Sequence, residues 1–350
     1  MDRLPPLSRR TFANGAALAA AVLALPVLHA QSRPEIRKIT ISVGGKADFY
    51  HLPLTIAEQL GYFRAEGLEV GISDFETGAQ ALQAVVDSTA NVCSGAFEHI
   101  INLHSMRQMF QAFVLQGRAP QIAFGVSTKN LPNYKSIAEL RGKKIGVSAP
   151  GSLTSMMAGL VLSRGGLNAA DVSFIGVGTA GGALAALRSG QIDALSNTDP
   201  TMTMLEQKGE VRIISDTRTL KGTTEVFGGP MPAACLYAPM DFIRKNSNTC
   251  QALTHAIVHG LKWLQTAGPG DIIKTVPESY LLGDRGLYIA AFTKVRESIS
   301  LDGLFPEEGP RTALKALSGS LGTSVASDSI DLAKTYTNVF AQRAKERFKA

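Results

Sequence analysis

The stretch Lys144-Ile145-Gly146-Val147-Ser148-Ala149-Pro150-Gly151-Ser152-Leu153-Thr154-Ser155, KIGVSAPGSLTS, decides how the chain is read. A short apolar run ends in small polar residues, and the helical segment MMAGLVLSRGGL (156–167) follows. Strand, small turn and helix in that order are the repeating unit of an α/β fold. Such a turn directs free backbone N–H groups and hydroxyls at one spot. It has neither the lysine of a phosphate-binding P-loop nor the GxSxG of a hydrolase elbow. Ser152 or Thr154 is then either a ligand contact or a plain helix N-cap.

Working outward, the same order occurs upstream. KITISVGG (38–45) reads as a strand, PLTIAEQLGYF (53–63) as a helix, and GLEVGISDF (67–75) as a strand. GAQALQAVVDST (78–89) reads as a helix, and ANVCSGAF (90–97) as a short strand. Downstream of the quoted stretch come DVSFIGVG (171–178), the helix GGALAALRSGQ (181–191), and the strands IDALSNT (192–198) and VRIISDT (211–217). Strands alternating with helices imply right-handed crossovers and largely parallel sheets. Two α/β units are expected, each roughly 90–110 residues. IAFGVS (122–127) and AACLYAP (233–239) look like two strands crossing between them, which makes a hinge. The rest of the chain reads as surface helices packing back on the first unit.

Composition agrees. Of 350 residues, 45% are hydrophobic and 18% charged, which suits one large or two medium domains. The formal charge of +6 is mild, and no Lys/Arg stripe with interleaved aromatics occurs, so nucleic acid is not an expected partner. Residues 1–30 have the layout of an export signal: Arg9-Arg10, an apolar run from about Ala16 to Leu25, and a small residue at Ala30. Ser8-Arg9-Arg10 and Phe12 resemble a twin-arginine leader, so a soluble periplasmic protein is expected. Cys93, Cys235 and Cys250 form no CxxC; one pair could bridge, or all three could be small buried residues. Their spacing gives no metal site.

Four segments together carry a resemblance: PLTIAEQLGYFRAEGLEV (53–70), GAQALQAVVDSTANVCSG (78–95), SIAELRGKKIGVSAPGS (136–152) and ALAALRSGQIDAL (183–195). The chain resembles the periplasmic solute-binding proteins of ABC importers, in the nitrate/sulfonate/taurine branch (SsuA-like, NMT1/THI5-like). The resemblance implies a two-lobed Venus-flytrap (type II) α/β fold with two crossing hinge strands and the ligand between the lobes. It also implies delivery to an inner-membrane ABC permease. On this reading lobe 1 is residues 36–126 plus 238–350, and lobe 2 is residues 127–237. No cofactor, no enzyme activity and a monomer are expected. The alternatives are a ligand-binding sensor subunit and a thiamine-pyrimidine-synthase-like enzyme. That enzyme's clustered cysteines have no counterpart here.

In α/β lobes the turns after the strands line the crevice. This marks Lys46, Asp48, Phe49, Tyr50, Thr77, Ser94, Gly95, Phe97 and Gln116 in the first unit. In the second it marks Ser148, Gly151, Ser152, Thr154, Thr179, Asn197 and Asp199. The helix start after Ser148 can hold an anionic oxygen without side-chain charge, so a small anionic organic solute is expected. Asp48, Glu98 and Asp199 disfavour an anion unless paired, and leave room for an amine-bearing or aromatic heterocyclic ligand. Lys46 and Arg118 could pair with those acids or be solvated. His51 could bind an acidic group, but at the start of a helix turn it is expected to be solvated.

Overall fold

The computed structural model describes residues 33–320 and 330–350; the export signal lies outside them. The first sheet takes β1 (Lys38–Gly44), β2 (Glu69–Phe75), β3 (Val92–Ala96) and β4 (Phe110–Leu115). The second takes β5 (Ile122–Ser127), β6 (Lys144–Val147), β7 (Ser173–Gly176), β8 (Ala194–Thr198) and β9 (Val211–Asp216). The chain then returns to the first sheet with β10 (Ala234–Pro239). The orders are β2-β1-β3-β10-β4 and β7-β6-β8-β5-β9.

Each sheet contains one reversed strand. β10 runs antiparallel between β3 and β4, and β5 runs antiparallel between β8 and β9. The pairs β1·β2, β1·β3, β6·β7 and β6·β8 are parallel. The two strands read as crossing between the units are these reversed strands. The links that cross are the segments before them, residues 116–121 and 228–233. IAFGVS therefore lies in the second sheet and AACLYAP in the first, because each fills an inner slot left open by its neighbours. Inner strands such as VCSGA and IAFGVS are buried along their whole length, so they show no alternation; edge strand β2 alternates.

The helices follow from the strand ends. α1 (Leu52–Gln59), α2 (Gly78–Val86) and α3 (Glu98–Ser105) belong to the first sheet. α4 (Leu153–Arg164), α5 (Gly181–Ser189), α6 (Thr201–Gln207) and α7 (Leu220–Phe227) belong to the second. α2 starts with a capping box, Thr77 and Gln80 each bonding the other's backbone N–H. Gly44 lets the end of β1 abut that start: a Cβ there would come 2.4 Å from the Gly78 backbone nitrogen.

The C-terminal helices close the molecule. α8 (Ser247–Thr266) and α11 (Val339–Phe348) cover the first sheet, burying Leu253, Ile257, Leu261 and Phe340 with Ile41 and Val114. Between them come α9 (Arg285–Val295) and α10 (Gly309–Ser320). α10 does not stay with the first unit as the sequence suggested: it packs on both α3 and α4, because Ala313, Ala316 and Leu317 complete a core spanning the two sheets. α9 likewise touches α6. Residues 34–350 form one compact unit, with direct bonds between the two halves. Thr198 donates to Asp48, the Phe49 N–H to the Asp199 carbonyl, and Lys294 pairs with Glu206 at 2.6 Å. Among the described residues no helix is long and apolar enough to cross a membrane.

Candidate functional site

Where the two sheets' strand ends face each other lies a cavity of about 320 Å³. One wall comes from the turn after β1 (Asp48, Tyr50, His51), the start of α2, and Ser94, Gly95 and Glu98 at the β3–α3 junction. The other wall is the quoted turn, Ser148 to Thr154, with Thr179 and Thr198. Apolar surface is supplied by Leu82, Ile122, Pro150 and Leu153.

The quoted turn folds as it does for local reasons. Gly151 takes φ +81°, a left-handed conformation that glycine adopts without steric cost. Ser152 is the N-cap of α4, accepting from the Ser155 N–H at 3.4 Å. The Ser148 N–H donates to Thr154 Oγ1 at 2.9 Å. The hydroxyls of Ser148, Ser152 and Thr154 form a closed triangle of 2.7–3.0 Å contacts. The three hydroxyls are thus engaged with one another, and among the first backbone N–H groups of α4, Ser152 caps that of Ser155. We expect Ser152→Ala to lower stability by about 1 kcal/mol, read as a shifted urea midpoint at constant slope.

Behind the opposite wall runs a bonded chain. Gln116 Nε2 donates to Ser94 Oγ at 2.9 Å, and Ser94 Oγ lies 2.9 Å from His51 Nδ1. The His51 ring also bonds the Gly44 backbone. His51 is 3% exposed, not solvated as the sequence suggested, because the helix turn at Phe49–His51 directs it inward. Burial holds its pKa down at about 3, so the ring is neutral. His99 is likewise held down at about 4 by burial, with Nδ1 3.0 Å from the Tyr237 hydroxyl.

Two carboxyl groups line the cavity. Asp48 is bonded by the hydroxyls of Thr198 and Thr179, yet burial pushes its pKa up to about 8. Glu98, at the first position of α3, is 2% exposed, and burial pushes it up to about 7. Neither Glu98 carboxyl oxygen has a regular hydrogen-bond partner; its own backbone N–H is the one donor that favours its ionised form. The buried Tyr50 hydroxyl is also unpartnered. Among the described residues no lysine or arginine lines the cavity.

Nine of the sixteen residues marked from the sequence line this cavity: Asp48, Tyr50, Ser94, Gly95, Ser148, Gly151, Ser152, Thr154 and Thr179. The other seven do not. Lys46 is drawn away by Glu58, its Nζ 2.8 Å from the carboxylate. Phe49 packs at a tilt in the first lobe's core against Tyr288, 4.5 Å between centroids, and Phe97 packs on Phe305. Thr77 is occupied as the α2 cap, and Gln116 supports Ser94 from behind. Asn197 bonds the Gly178 carbonyl and the Thr198 N–H. Asp199 faces the buried Arg218, 3.4 Å away. Arg118 lies elsewhere, bonded to the Glu297 carbonyl. Of the other lining residues, Thr198 lies in the 197–200 turn that the sequence places at the crevice without being one of the sixteen, and His99 and Gln83 lie outside the turns read from the sequence. Helical phase from Gly78 finds Gln83; His99 depends on tertiary placement. The three cysteines are free and buried. Among the described residues no group of three or more His, Cys, Asp or Glu could hold a metal ion.

Two sheets of this order, joined by two crossings and closed on a cavity, define a two-lobed α/β protein of the periplasmic-binding-protein fold. The chain belongs to the NMT1/THI5-like family, whose model matches residues 48–267. A solved structure from Bordetella bronchiseptica RB50 is 56% identical, with TM-score 0.88, covering 91% of this chain and 99% of that one. The periplasmic nitrate-binding protein NrtA from Synechocystis PCC 6803 is 14% identical, with TM-score 0.69, covering 90% of this chain and 89% of that one. The alkanesulfonate-binding protein SsuA from Xanthomonas axonopodis pv. citri, bound to MOPS, is 18% identical, with TM-score 0.64, covering 89% and 98%. At such identities the last two share the fold.

Proposed function

We propose that this protein is an extracytoplasmic solute-binding protein. It captures a small organic molecule between its lobes and hands it to the permease of an ABC importer. The observation that carries this reading is the cavity of about 320 Å³ walled by both lobes, with polar groups from each side turned into it. Contacts from both walls are complete only when the lobes are together, so a ligand spanning them favours the closed form. The twin-arginine leader read in the sequence supports export to the periplasm, and the fold needs no second copy to complete the cavity. Binding without turnover fits a wall whose histidines are neutral and held by Ser94, Gly44 and Tyr237. We place the lobe division at the crossing segments 116–121 and 228–233, in place of 126/127 and 237/238.

The test is native mass spectrometry of the purified full chain, followed by small-angle scattering before and after stripping by denaturation and refolding. A non-covalent small molecule released on denaturation, with a larger radius of gyration for the stripped protein, is expected. An identical radius with and without a saturating ligand would remove the hinge from this account.

A further inference from the structure

We propose that the cavity takes a ligand bearing N–H donors, an amine or amidine on a small apolar body, and that Glu98 and Tyr50 receive it. This rests on the solute-capture reading above and names the ligand class. Three observations carry it. First, on two residues that line the cavity, both Glu98 carboxyl oxygens and the Tyr50 hydroxyl are buried with no regular protein partner. Buried polar atoms in native proteins are nearly always bonded, so three such atoms at one place mark where a ligand supplies the missing donors. A carboxylate offers two acceptor oxygens side by side, which suits a forked pair of N–H groups.

Second, the lining holds two carboxyl groups, Asp48 and Glu98, and among the described residues no lysine or arginine. The nearest lysine in sequence, Lys46, is committed to Glu58. An anion entering here would meet no counter-charge. Third, the hydroxyls at the start of α4, a feature suited to an anion, are already engaged with one another and with the Ser148 and Ser155 N–H groups. Burial drives the Glu98 carboxyl up to about 7, and an adjacent cation would return it to the ionised form. Leu82, Ile122, Pro150 and Leu153 supply the surface for an apolar body.

The experiment uses the stripped full chain and four probes of similar size: benzamidine, phenethylamine, benzoate and benzenesulfonate. Thermal-shift and calorimetric titrations are made on the wild type and on Glu98→Gln and Tyr50→Phe. The expected result is a rise in Tm with benzamidine and phenethylamine and none with the acids. Glu98→Gln should weaken the amidine by about 30-fold or more. Its ligand-free stability should hold or rise, since an unpaired carboxyl is removed; this separates lost binding from lost folding. Tyr50→Phe should weaken binding less. Binding of the acids without the amines overturns the ligand class and leaves solute capture standing. Amidine binding that Glu98→Gln does not change overturns the assigned residue. No response to any probe, with no compaction and no co-purified molecule, overturns both readings.

Discussion

Replacing Arg218 by methionine is expected to destabilise the protein by about 3–5 kcal/mol, more than any substitution in the cavity wall. Its side chain is 2% exposed, in the second lobe, amid three carboxylates. Nη2 lies 2.6 Å from Asp216 and 3.1 Å from Glu206, and Nη1 lies 3.4 Å from Asp199 and 3.1 Å from the Thr203 hydroxyl. Desolvation works against the cation, yet these partners outweigh it and raise its pKa. Methionine keeps much of the volume and removes the charge, leaving the buried Asp199 with the Thr203 N–H as its main donor. Glu206 retains Lys294 on α9, so the loss centres on Asp199 and Asp216. Urea unfolding measures the effect. Adding Asp199→Asn should recover part of it, because the double variant no longer buries an unpaired carboxylate. A single variant within 1 kcal/mol of wild type would show that the pairing contributes little.

The second large effect is on pH. Asp48 has a folded pKa of about 8 against 3.8 ordinarily, because burial outweighs its bonds to Thr198 and Thr179. The folded state therefore holds one more proton than the unfolded state between those values, and stability falls as pH rises through that window. Glu98, at about 7 against 4.5, acts in the same direction. His51 and His99, at about 3 and about 4 against 6.5, act oppositely: the unfolded state holds the extra proton, and stability rises with pH up to about 6.5. Below that pH the two trends offset each other. Above it only the carboxyl groups remain, so the ligand-free protein should lose about 2 kcal/mol between pH 6.5 and 8. Asp48→Asn should remove most of that loss. A wild-type stability that is level across the interval would mean that Asp48 is ionised in the folded state.

These effects also show where sequence reading stops. KIGVSAPGSLTS gave its strand, turn and helix cap directly, because each depends on neighbours within a few residues. The repeated α/β order was legible for the same reason. The reversed placement of β5 and β10 was not, since a wholly buried strand carries no sign of its direction. At the β3–α3 junction the right loop is legible, with Glu98 among the acids weighed near the ligand, but Phe97, expected as a ligand contact, lies in the core. One residue of phase separates the core from the cavity there, and so short a segment does not fix it. Asp199 and Lys46 were placed near the ligand because nothing in their local sequence announces Arg218 or Glu58 as partners.

The insertion of β10 between β3 and β4 bears on the order of synthesis. β9 ends at Asp216, so every strand of the second sheet has been made before β10 begins at Ala234. The first sheet is started earlier and finished later: β3 and β4 exist from residue 115 onward with the slot between them unfilled. On an emerging chain the second lobe can therefore settle first, while the first keeps an open edge on either side of its gap. The Asp48 turn and Glu98 belong to the half that waits, and Ser148 to Thr154 to the half that does not. The cavity is then assembled only after β10 fills the first sheet and α10 completes the core that both sheets share.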